Sequence, residues 1–176
     1  SVANVGNSRR AKSPPVTCTG TVTLELAVDE VNPDDGDYIL SHPQSWGDVV
    51  GLALGDPAST PNNDRNHIIK FQALQDSTLT RESKVICELR QGYSAEDTLG
   101  TLIAVLVGRP DSTTPTIYRL RLTTTEAALI TDYTDLQFRF TLSRSVRLTW
   151  CELMLPLINE NADNDVYMTE AEANSS

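Results

Sequence analysis

Chemistry needs reactive side chains in fixed company, and this sequence holds few of them. Its only histidines are His42, followed by Pro43, and His67, ahead of an apolar run. Neither sits in a GxSxG, HExxH or Cys-His context, so no catalytic triad or zinc site is expected; both read as loop residues making local hydrogen bonds. Cys18, Cys87 and Cys151 lie far apart without a CxxC pair. An odd count argues against a closed disulfide framework and for reduced, mostly buried thiols made in a cytosol. The segment Asp29–Asp37 gathers five carboxylates, Asp29, Glu30, Asp34, Asp35 and Asp37, in nine residues. Oxygen-rich loops bind calcium, but Gly36 falls out of register with the D-x-[DN]-x-[DN]-G pattern, which favours a solvated turn. Strand-borne Glu25, Glu88 and Glu152 leave a glycosidase carboxylate pair open. With 6% aromatic residues, however, a sugar-stacking platform is hard to assemble. Trp46 lies in a loop and is able to stack on a sugar, whereas Trp150 reads as core. No enzymatic activity and no cofactor are expected.

Charge is placed unevenly along the 176 residues, whose net charge is −10. Arg9, Arg10 and Lys12 make the first 16 residues purely basic, while Glu160, Asp163, Asp165, Glu170 and Glu172 make the last stretch purely acidic. The expected organisation is an extended N-terminal arm over 1–16, a β-sandwich domain over 17–157 and an acidic C-terminal tail over 158–176. A chain of this length buries about 70% of its unfolded surface in a single domain. No run of 18 apolar residues exists, and no hydrophobic segment follows the first basic residues, so neither a membrane span nor a signal peptide is expected. Ser1, a small residue, is what removal of an initiator Met leaves; the expectation is a soluble protein that is not secreted.

The elements that must position any site are strands. Thr21–Val28 alternates with period two, and an acidic loop leads to a short segment at Tyr38–Leu40. Gly47–Leu54, His67–Leu74 and Lys84–Arg90 are further strand candidates, separated by turn-forming stretches such as 55–66. Leu99–Val107 is nearly all apolar, which predicts a strand covered on both faces. Thr116–Leu122 places Tyr118, Leu120 and Leu122 inside and Arg119 and Arg121 outside. Thr123 with Glu126 three residues later forms a capping box for a short helical turn. Leu136, Phe138, Phe140 and Leu142 alternate, as do Val146, Leu148 and Trp150, after which the apolar set shifts to Cys151, Leu153 and Leu155, a sign of a bulge or of burial on both faces. About eight strands and one short helix predict an all-β fold, a two-sheet antiparallel β-sandwich of jelly-roll-like type.

Outward-pointing Arg119, Arg121, Arg139 and Arg147 fall on adjacent strands if the sheet pairs sequentially, making a basic stripe. A net negative protein repels phosphate at long range, and no aromatic residues interleave with the stripe, so nucleic acid is not the expected partner. Cross-strand ion pairs, or a docking face for an acidic protein surface, fit better.

The acidic loop with Asp34, Asp35, Asp37 and Tyr38, the segment LTTTEAALITDYTDLQFRF at Leu122–Phe140 and the closing RLTWCELMLP at Arg147–Pro156 together resemble small β-sandwich virion proteins of tailed bacteriophages. The resemblance covers roughly Thr21–Pro156 and leaves both ends unmatched. It implies a decoration or minor structural component: a cement protein on the outside of a phage head, assembled in the host cytoplasm, trimeric, and bridging major capsid protein subunits. Arg9, Arg10, Lys12 and the outward arginines are then the partner-binding candidates. The alternative is a tail or baseplate protein with a glycan-binding β-sandwich, for which an exposed aromatic patch near Trp46, Tyr93 and Tyr38 is expected.

Overall fold

The structure is a computed structural model that describes residues 5–10, 17–19, 38–41, 47–57, 59–61, 64–78 and 82–156, with side chains from residue 38 onward. Among the described residues the strands are β1 (Val5–Arg10), β2 (Thr17–Thr19), β3 (Tyr38–Leu40), β4 (Asp48–Leu54), β5 (Ile68–Gln75), β6 (Lys84–Gln91), β7 (Thr101–Gly108), β8 (Thr116–Arg121), β9 (Leu136–Ser143) and β10 (Val146–Met154). One short helix, α1 (Thr124–Ala128), joins β8 to β9. The expected strand at Thr21–Val28 and the acidic loop Asp29–Asp37 lie outside the described residues.

Two antiparallel five-stranded sheets face each other, ordered β1-β4-β9-β6-β7 and β2-β3-β10-β5-β8. This is the all-β, jelly-roll-like sandwich that the sequence predicts, with ten strands among the described residues. Alternation along each strand builds the core: Val50 and Leu52 from β4, Val85, Cys87 and Leu89 from β6, and Phe138, Phe140 and Leu142 from β9 meet Ile69, Phe71 and Ala73 from β5 and Leu148, Cys151 and Leu153 from β10. Phe71 meets Phe140 edge-on at 5.8 Å between ring centroids and lies stacked against Tyr118 at 5.1 Å, geometries that suit ring quadrupoles. The capping box forms as expected: the Thr123 hydroxyl accepts from the Glu126 amide at 3.0 Å, and the Glu126 carboxylate accepts from the Thr123 amide at 2.8 Å.

Three expectations are corrected. Val5–Arg10 is not an arm outside the domain but the edge strand of the first sheet, with Arg9 opposite Gly51 and Arg10 opposite Val50. Leu99–Val107 is not covered on both faces. The ladder between β6 and β7 slips so that Leu102 pairs with Arg90 and Ala104 with Leu89, a bulge that turns Ile103 and Ala104 inward together and leaves Leu102, Val105 and Val107 40–43% exposed. Finally, β10 carries its own slip one position earlier than the shift of pattern suggested. Leu148 pairs with Ala73 but Trp150 with Gln72, so Trp150 stands beside Gln72 rather than in the central core. It is buried all the same.

Candidate functional site

The arginines expected to form one stripe are distributed over both sheets. Arg139 belongs to β9 in the first sheet; Arg119, Arg121 and Arg147 belong to β8 and β10 in the second. No single stripe forms, because β8, β9 and β10 alternate between the sheets instead of pairing with one another.

Arg139 is the hub of an ion-pair network on the outer face of the first sheet. Its Nε donates to Glu96 Oε2 at 2.8 Å and its Nη2 to Glu96 Oε1 at 2.5 Å, a bidentate fork. Its Nη1 donates to Glu88 Oε1 at 3.2 Å, and the same oxygen accepts from Arg90 Nε at 2.8 Å. Glu88 lies directly opposite Arg139 in the ladder, so the cross-strand ion pair is built by register. The hydrogen bonds from Arg139, helped by the Tyr93 hydroxyl, hold the Glu96 carboxyl below its usual range, and the two carboxylates push the Arg139 guanidinium further up. Tyr93 seals the network. Its ring lies on Gly51, where a Cβ would stand 2.5 Å from Cε2, and its hydroxyl donates to Glu96 at 2.7 Å. At 1% exposure Tyr93 offers no stacking surface. Tyr38 carries the Arg147 guanidinium 4.3 Å from its ring centroid, while Arg147 Nε donates to Asp76 at 2.7 Å. The expected aromatic patch therefore loses Tyr93, and Trp46 lies outside the described residues, as do Lys12 and His42.

His67 is, as expected, a loop residue with a local hydrogen bond, and it is buried. Its Nδ1 meets the Arg65 carbonyl at 3.0 Å and its Nε2 the Tyr133 hydroxyl at 2.7 Å. A neutral ring with its proton on Nδ1 satisfies both, accepting from Tyr133. Burial lowers the His67 pKa and pushes Tyr133 up to about 12. Glu152, opposite Lys70 on β5 and 3.6 Å from its ammonium, is buried, and loss of water raises its carboxyl despite the nearby cation. Cys87 and Cys151 are buried thiols, with burial pushing the Cys87 thiol well up. Among the described residues no three His, Cys, Asp or Glu side chains converge as metal ligands, and no helix is long and apolar enough to cross a membrane.

Two surface features remain. A cleft of about 430 Å³ lies at the end of the sandwich, lined among others by Glu82, Lys84, Arg109, Asp111 and Ser143. The second feature is the side where β7 and β8 end their sheets. Gly108 allows these strands to approach: a Cβ there would stand 2.8 Å from Phe71 Cζ and 2.9 Å from Tyr118 Cγ. Both strands keep one ladder edge unpaired among the described residues. Leu102, Val105, Val107 and Ile117 are exposed there, and Tyr118 and Leu120 are half-buried. From Leu99 to Thr125 the only charges before Glu126 are Arg109, Asp111, Arg119 and Arg121, so this side is net positive on a strongly acidic protein. Arg119 and Arg121 are exposed on β8. The sequence reading found the arginines but missed the apolar row, since an unbroken apolar run looks the same in a covered strand and in a bulged edge strand.

No protein-family model matches this chain, and no curated protein matches its sequence. Among solved structures, the chain is similar to the arabinose-bound MgGH51 α-L-arabinofuranosidase, with 10% identity and a TM-score of 0.54 over 86% of this chain. The match spans 23% of the length of that protein. It is also similar to CsCBM6-3 from Clostridium stercorarium, solved in complex with cellobiose, with 12% identity and a TM-score of 0.46 over 85% of this chain and 87% of that one. At such identities the likeness is one of fold.

Proposed function

We propose that this protein is a non-enzymatic structural module that docks on a larger protein assembly through the open side formed by β7 and β8. In the form suggested by the resemblance to phage virion proteins, it is a cement protein, trimeric, bridging major capsid subunits on the outside of a head. The observation that carries the reading is the exposed row Leu102, Val105 and Val107 on an unpaired strand edge, beside Arg119 and Arg121. A long apolar edge is an aggregation hazard unless a partner uses it. Strand addition supplies that use: backbone hydrogen bonds give affinity and alternate side chains give register. The arginines favour an acidic partner surface and speed encounter with it. Arg9 and Arg10, as part of β1, act from the opposite edge of the first sheet, so their contribution is tested by substitution to serine and not by deletion, which removes a strand. Val105→Asp and Val107→Asp leave the core untouched and put charge on the row. Occupancy of purified heads is expected to fall at least tenfold for the double variant; wild-type occupancy would overturn the reading.

The polar cleft beside Lys84, Arg109 and Asp111 favours a second reading, in which the sandwich binds a glycan through hydrogen bonds without aromatic stacking. Titration of host polysaccharide against wild type and Lys84→Ala decides it: no heat and no chemical-shift change in the wild type removes this reading.

A further inference from the structure

The exposed large apolar side chains among the described residues are Leu99, Leu102, Val105, Val107, Ile117 and Leu129. All six belong to β7, to β8, to the residues leading into β7 or to the end of α1, the helix that packs against β7. Single apolar residues scattered over a surface mean little, but a whole set gathered on one side marks a contact. We infer that in free solution two copies of this chain pair antiparallel through the outer edges of their β7 strands, joining their first sheets into one continuous sheet across a two-fold axis. This occupant is independent of the docking reading: it fills the same edge when no assembly is present.

The strand is built for pairing. Natural edge strands that stay unpaired are short, kinked, or carry Lys or Pro. β7 is eight residues long, holds neither Lys nor Pro, and keeps a regular register against β6 over 104–108, its bulge being confined to the start. A two-fold axis perpendicular to the sheet leaves outward residues outward, so Val105 and Val107 of both copies share one face. Ile86, opposite Val107 in the ladder, widens that apolar strip on each side.

Charge selects both the place and the direction. Each chain carries a net charge of −10, so two copies repel over most of their surface. Residues 99–108 bear no charge at all, and here two copies meet with the least electrostatic cost. β7 and β8 are joined by the turn at 109–115 and run in opposite directions, which sets Arg121, the last residue of β8, level with the start of β7. Asp97 lies in the loop that feeds that start, whereas Arg109 and Asp111 lie just past the end of β7. All four are exposed. The two-fold axis exchanges the ends of β7. Arg109 of one copy then faces the end that bears Asp97 in the other, and Arg121 faces the end that bears Asp111, each match occurring twice. A parallel pair would set Arg109 against Arg109 and Asp97 against Asp97.

Sedimentation of the full-length chain over a concentration series, with residue-resolved amide exchange on the same samples, tests this. The mass of two chains is expected at high concentration and of one on dilution. The β7 amides that point away from β6 are expected to gain protection as the dimer forms, while core amides of β9 stay unchanged. Val105→Asp with Val107→Asp, and Arg109→Asp alone, are each expected to raise the dissociation constant at least tenfold. Adding Asp97→Arg to the Arg109→Asp chain is expected to restore pairing, a rescue that simple loss of folding would not show. A chain that stays single at the highest concentration overturns the inference, as does a trimer in free solution, since a two-fold pair of edges closes at two. Protection of those β7 amides that is the same at every concentration also overturns it. The docking reading fails separately: if the wild type pairs yet the Val105→Asp, Val107→Asp chain still occupies heads fully, the dimer stands and the docking site does not. If that variant loses heads while the wild type never pairs, the docking site stands and the dimer does not.

Discussion

At the scale of single residues, the outer face of the first sheet is held by Arg139 and its two carboxylates. Arg139→Ala removes a bidentate pair, leaves Glu88 and Glu96 facing each other, and is expected to cost about 1–3 kcal/mol, below the range for fully buried pairs because these side chains keep partial contact with water. Chemical denaturation with an unchanged m-value checks it. The same network has a pH signature. Glu96 has a lower pKa folded than unfolded, so its contribution is complete above the ordinary carboxylate value near 4.5 and is lost as pH falls through the lowered folded value. His67 adds a second signature of the same sign. Its folded pKa lies below 6.5, so the unfolded chain protonates first and stability declines as pH falls from about 6.5 toward the lowered value. The melting temperature should therefore drop between pH 7 and pH 5, and His67→Gln should flatten that slope even though it lowers stability at pH 7. Gly51→Ala drives a methyl into the Tyr93 ring, and an expected loss of about 1–3 kcal/mol, visible as a lower thermal midpoint, reports how firmly that ring is pinned.

At the scale of elements, bulges separate what was legible from what was not. β9 reads directly from Leu136, Phe138, Phe140 and Leu142, and α1 from Thr123 and Glu126, because alternation and capping are local rules that the sheet does not override. The exposed row on β7 was hidden, since the bulge at Ile103–Ala104 reverses the inward parity and no residue type announces it. Trp150 is buried as expected, and the slip after Leu148 sets it beside Gln72. β1 was unreadable because VGNSRR has neither period nor bulk, and β4 supplies its pairing from outside. The arginine network followed from long-range register, which pairs β6 with β9, 51 residues apart at Glu88 and Arg139. Gly108→Ala belongs to this scale, as its methyl collides with Phe71 and Tyr118 where the two sheets close. It should loosen β7 from β8, read as faster amide exchange across Thr116–Arg121 before global unfolding.

For the whole molecule, the topology interleaves the two sheets along the chain. Among the described residues only β2–β3 and β6–β7 are neighbouring strands that pair; every other ladder there brings together distant strands. Contacts of such high sequence separation slow folding into the range of milliseconds to seconds. A single cooperative transition is expected, with fluorescence and far-ultraviolet dichroism coinciding, since β9 and β10 complete the two sheets at once.

That interleaving has a consequence for a severed backbone. β9 lies between β4 and β6, and β10 between β3 and β5, so the last strands are wedged into the first seven from inside. A protease nick in the turn at 109–115 would divide the polypeptide while leaving the particle whole, the two pieces clasped like interlaced fingers. Synthesised separately, the two pieces would find each other, and a ribosome must deliver nearly the last strand before either layer can close.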